Sequence, residues 1–129
     1  MQTKTKLTIV DARREHAPFI AWVILTAFRS HMKKGFWDFV RPGTDAEILR
    51  YLEALTTSKA THWAHLSLFI VAEVDGEPAA ALSGYFAEEH GGARLGEGIA
   101  EADAVTGQAP DAEAIRRALT ILSVAPEHV

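Results

Sequence analysis

Leu68-Phe69-Ile70-Val71-Ala72-Glu73-Val74-Asp75-Gly76-Glu77-Pro78-Ala79-Ala80-Ala81-Leu82-Ser83-Gly84-Tyr85-Phe86 reads as two β-prone runs closed by a tight turn. Asp75 and Gly76 both tolerate positive φ, so the spacing predicts a two-residue hairpin. Pro78 has no amide hydrogen; its position must face away from a partner strand or stand beside a bulge. Ser83-Gly84 marks either a bulge or a close backbone approach.

Upstream, Leu7-Thr8-Ile9-Val10 is a short β-rich run ending at Asp11, a residue able to cap a following helix. Pro18 sets the upstream limit of that helix, and Ile20, Val23, Ile24, Ala27 and Phe28 recur along it at helical spacing. Gly35 and Pro42-Gly43 bracket a loop. Thr44-Asp45-Ala46-Glu47 then has capping-box spacing, opening a second helix with Ile48, Tyr51, Leu52 and Leu55 on its buried stripe. Downstream of the hairpin, Glu88 to Gly92 is a breaker segment. Leu95, Ile99, Ala102 and Val105 are spaced for a weakly amphipathic helix, interrupted early by Gly96 and Gly98. Gly107 to Pro110 ends it, and Asp111 caps a last helix with Ile115, Ala118, Leu119 and Leu122 on one face.

The 129 residues are expected to form one domain, with Glu88–Arg94 as the best internal boundary. Hydrophobic residues are 48% and charged residues 23% of the chain, the balance of a globular core with a solvated surface. Thirteen basic against seventeen acidic side chains give a charge of −4, which offers no broad cationic face to nucleic acid or anionic lipid. The absence of cysteine excludes disulfides, thiolate metal sites and a cysteine nucleophile. Pro18 to Leu25, the longest apolar stretch, is too short to span a bilayer, and no apolar signal core follows the first lysines. The chain reads as cytoplasmic.

Leu7 to Arg13 with the helix bearing Ala17-Pro18-Phe19-Ile20, followed at distance by Phe69 to Gly84, resembles the N-terminal half of the GNAT family of N-acetyltransferases. The likeness covers Leu7 to Phe86. It implies a mixed α/β (α+β) fold, the N-terminal half of an acyl-CoA N-acyltransferase fold, with antiparallel first strands, a β-hairpin and flanking helices. Acetyl-CoA is the implied donor of the whole enzyme, and an amine, small molecule or peptide, its acceptor. In that family a strand, a Gln/Arg-x-x-Gly-x-Gly/Ala loop and a helix follow the hairpin, and backbone amides there hold the coenzyme's pyrophosphate. Arg94-Leu95-Gly96-Glu97-Gly98 invites comparison but is one residue short, and Glu97 places a negative charge where phosphate would sit. No coenzyme site and no catalytic base or acid are therefore expected in this segment. The alternative is a non-enzymatic module that self-associates through its sheet edge as a homodimer.

The resemblance puts the end of the first helix and the loop beyond it on the acceptor side. Arg29, His31, Phe36, Trp37 and Asp38 are the substrate-binding candidates there, with Ser83 and Tyr85 from the return strand. Phe36 and Trp37 can wall an apolar pocket, Asp38 can attract an amine, and His31 offers an imidazole beside them. The competing reading makes the same segment a helix C-terminus dressed with favourable cations, with Trp37 anchoring the loop. His62-Trp63-Ala64-His65 lacks a third ligand at recognisable spacing, so two histidines beside a packed tryptophan are expected instead of a metal site. Ser30, Ser83 and the histidines lack a nucleophile elbow.

Overall fold

The turn forms as its chemistry demands: Asp75 and Gly76 take φ of 51° and 84° between antiparallel β2 (Phe69–Val74) and β3 (Glu77–Ser83). The structure, a computed structural model, describes residues 4–108 together with Glu113 and Arg116; the expected last helix around Ile115, Ala118, Leu119 and Leu122 lies outside the described residues. β1 (Leu7–Asp11) pairs antiparallel with β2, from Leu7 opposite Val74 to Asp11 opposite Ile70. The sheet order is β1-β2-β3. The register of β3 slips between Ala72, opposite Ala80, and Glu73, opposite Pro78, so the irregularity stands beside the proline. Ser83 instead pairs regularly with Phe69, and a side chain at Gly84 would meet open space; neither a bulge nor a close approach occurs there.

α1 (Ala17–Arg29) carries Pro18 in its first turn, where a missing amide costs nothing. Asp11 does not cap it: Asp11 completes β1, and a 3-10 turn at Arg14–His16 intervenes. The buried stripe is Ala17, Ile20, Ala21, Ile24 and Leu25, one position rotated from the expected one, which leaves Val23 half-buried and Ala27 and Phe28 exposed. α3 (Asp45–Thr56) opens with the expected capping box: Thr44 Oγ1 accepts from the Glu47 amide and Glu47 Oε1 from the Thr44 amide. Ile48, Tyr51, Leu52 and Leu55 are all buried. The bracketed loop before it holds a short helix, α2 (Phe36–Val40). Its start lies directly on the end of α1; a Cβ at Gly35 would meet the Phe28 carbonyl oxygen at 2.2 Å.

The breaker segment contains a four-residue helix, α4 (Ala87–His90), and α5 (Gly92–Thr106) runs unbroken through both of its internal glycines. Leu95, Ile99 and Ala102 are buried, whereas Val105 is exposed. Gly98 has a packing reason: a Cβ there would meet the His62 ring at 2.5 Å and Leu55 Cδ1 at 3.2 Å. Helices α1, α3 and α5 thus form one layer around Ile20, Ile24, Leu52, Leu55, Leu95 and Ile99, with Val71 from the sheet in the same core.

Candidate functional site

Arg29, the last residue of α1, joins three elements. Its Nε donates to Asp38 Oδ2 at 2.9 Å and its Nη2 to Asp38 Oδ1 at 2.7 Å; Nη2 also donates to Asp45 Oδ1 at 2.8 Å. The planar guanidinium suits this two-pronged grip. Asp38 Oδ2 accepts as well from the Gly35 amide at 2.8 Å, closing the start of α2. The hydrogen bond from Arg29 holds the Asp38 carboxyl down at about 2, ahead of the opposing effect of burial. The Arg29 guanidinium is shifted upward, chiefly by its bond to Asp38 and then by that to Asp45. Both Asp38 oxygens are thus committed inside the protein, and the residue is 4% exposed. Its carboxylate braces the site and does not project from it.

An aromatic cluster stands on this brace. Trp37 is fully buried and lies edge-on to Phe36, with ring centroids 5.0 Å apart. Phe28 approaches Phe36 at 5.7 Å and Trp63 at 5.5 Å, and Trp63 approaches Tyr85 at 6.3 Å. The Trp37 and Trp63 indole N–H groups are buried without a hydrogen-bond partner among the described residues. Tyr85, 51% exposed, and Phe28 are the solvent-facing ends of this row. Beside it, Ser30 leaves α1 at φ 53°, a costly conformation for a residue with a side chain.

Of the candidates read from the sequence, Phe36, Trp37 and Tyr85 therefore enter one cluster, and Arg29 and Asp38 hold its base. His31 is exposed, its ring Nδ1 3.4 Å from Ser30 Oγ. Ser83, half-buried, ends β3 two residues before Tyr85. Sequence reasoning missed Phe28 and Trp63. Phe28 fell on the assumed buried stripe, and Trp63 was attached to its flanking histidines.

Those histidines are structural. His62 Nδ1 accepts from the Ala64 amide, and Nε2 faces the Leu55 carbonyl at 2.9 Å; burial pushes its pKa down to about 4. His65 Nδ1 accepts from the Ser67 amide and Nε2 faces the Ser58 carbonyl. Among the described residues no group of three or more His, Asp or Glu could hold a metal ion, and no helix is long and apolar enough to cross a membrane.

The glycine pattern at Arg94–Gly98 does not fit a pyrophosphate. It lies inside α5, with Leu95 buried, Gly98 packed on His62, and Arg94 paired to Glu97 at 3.3 Å. From Leu95, whose amide donates to the Gly91 carbonyl, its amides are taken up within the helix and form no concave anion cradle.

No known protein family's sequence profile matches the chain, and no curated protein does. In fold the chain is similar to the crystal structure of an acetyltransferase, with a TM-score of 0.59 and 23% identity. The likeness covers 79% of this chain and 50% of that one, so this chain spans about half the length of the structure it matches. The fold is acetyltransferase-like: mixed α/β, with a three-stranded antiparallel sheet and flanking helices.

Proposed function

We propose that the chain is the N-terminal portion of an acetyl-CoA-dependent N-acetyltransferase of the GNAT kind. It supplies sheet and acceptor-pocket walls and is not catalytic alone. The observation that carries this reading is the fold, which is similar to that of an acetyltransferase over 79% of this chain and 50% of that one. The acceptor wall is the row Phe28, Phe36, Trp63 and Tyr85, with Ser83 and His31 at its margins, while Arg29, Asp38 and buried Trp37 fix its position. Aromatic faces attract an ammonium group carried on an apolar body, by burial and by cation–π contact. The donor would be held by the remainder of the whole enzyme and not by this segment, whose Arg94–Gly98 stretch runs within α5.

Tryptophan fluorescence titration with a panel of arylalkyl amines tests the proposal, because Trp63 lies in the row. At least one amine should quench it saturably, and Tyr85→Ala should abolish that response while the fold, checked by circular dichroism, persists. A panel without effect on the parent chain, or a response indifferent to Tyr85→Ala, would overturn the acceptor-wall assignment.

A further inference from the structure

From Ala17 to Phe28 α1 carries no charged residue, the composition of a helix covered on every side. It is covered on one. Trp22 stands 53% exposed, its ring stacked on half-buried Phe19 with centroids 6.1 Å apart, and Pro18, Thr26 and Ala27 are exposed beside it. Pro18 lies one turn before Trp22 on the same side of α1, roughly 6 Å along its axis. It lines a cleft of about 440 Å³ between α1, α3 and α5, which Trp22 itself does not line. The apolar lining is Ala17, Pro18, Ala54 and Val105, the last being the one residue of the expected α5 stripe left exposed.

The polar groups around this lining suit an indole. Arg14 has no side-chain partner among the described residues, and Arg50 reaches only the Thr106 carbonyl, at 3.4 Å. A guanidinium is attracted to an aromatic face, to tryptophan most of all. Half-buried Glu53 has a carboxylate without a partner among the described residues, and an indole N–H is a donor in need of an acceptor. The volume falls within the roughly 300–1,000 Å³ of clefts that accept a small aromatic body. One surface thus presents both a bare indole and a cleft whose chemistry fits one, a turn of helix apart. That arrangement is self-complementary, the condition for a two-fold contact in which each copy gives what the other receives.

We propose that the occupant of this cleft is Trp22 of a second copy of the chain. The two-fold axis crosses α1 between Pro18 and Trp22, the two α1 helices run antiparallel, and each indole sits in the other copy's cleft. Two helix widths by the length of α1 give a contact on the order of 400 Å² per copy, half the roughly 800 Å² of a tight dimer. Association is therefore weak, with a dissociation constant on the order of 100 μM.

Sedimentation velocity of the full 129-residue chain against concentration tests this. The parent should pass from monomer to dimer, and acrylamide quenching of its fluorescence should fall as it does, because Trp22 is the most exposed of its three tryptophans. Trp22→Ala, which removes the indole, and Val105→Glu, which blocks the cleft, should each weaken association by about tenfold or more; both positions are exposed, and circular dichroism checks that the fold persists. Arg14→Glu repeats the cleft measurement should Val105→Glu fail to fold. Leu82→Glu, on the opposite, uncovered face of the sheet, should leave association unchanged. A parent that stays monomeric up to about 1 mM, or a dimer of undiminished strength in Trp22→Ala or in the cleft variant, overturns the proposal. Loss of the dimer in Leu82→Glu alone would assign self-association to the sheet and overturn it equally.

Discussion

Asp38 ties the end of α1 to the start of α2. An acid two residues beyond aromatic Phe36 reads as an amine trap; in the structure Arg29 and the Gly35 amide take both its oxygens. Asp38→Asn should therefore cost about 1–3 kcal/mol of stability, the range for losing charge-assisted hydrogen bonds in a buried place. Asp45→Asn, at the exposed end of the same guanidinium, should cost less; urea denaturation of both variants checks the order. Because the folded Asp38 carboxyl sits at about 2, below its ordinary 3.8, its contribution is present above pH 3.8 and fades as pH falls toward 2. His62 also has a depressed value, through burial. Between pH 6.5 and about 4 the unfolded chain takes up a proton that the folded ring refuses, so stability falls as pH drops through that window. The urea midpoint should decline between pH 7 and pH 5, and His62→Gln should flatten that decline.

At the scale of elements, α5 offers a paired test. Gly96→Ala enters open space and should stabilise by up to about 1 kcal/mol through helix propensity. Gly98→Ala drives a methyl into the His62 ring and should destabilise by about 1–3 kcal/mol; thermal melts of the two variants should shift in opposite directions. The hairpin and the α3 capping box were legible because their signals are local: a turn pair needing positive φ and two side chains three residues apart. What escaped the sequence depends on distant partners. The stripe of α1 is rotated because α3 and the sheet decide which side is covered, leaving Phe28 to join Trp63 across thirty-five positions of sequence. α2, only five residues long, escaped because its place is set from α1, where Arg29 grips Asp38 and the Phe28 carbonyl lies against Gly35. Gly98 read as an interruption, although its lack of a side chain is what lets α5 approach His62.

For the molecule as a whole, an acetyltransferase-like fold whose described residues hold no fitting pyrophosphate cradle should not bind acetyl-CoA tightly. Micromolar binding needs about −8 kcal/mol, and calorimetric titration of this chain with the coenzyme should show no saturable micromolar site. The sheet register has a further consequence, for the order in which the parts come together. Arg29 meets Asp38 and Asp45 over nine and sixteen positions of sequence, whereas β1 finds β2 across 59 to 67, from Asp11 opposite Ile70 to Leu7 opposite Val74. Closing the long loop is entropically dearer than joining neighbours, so the paired helices and the hairpin should assemble before β1 is added. In stopped-flow experiments Leu52→Ala should slow refolding, while Val10→Ala should mainly speed unfolding. Of the three strands, the one made first would then be the last to find its place.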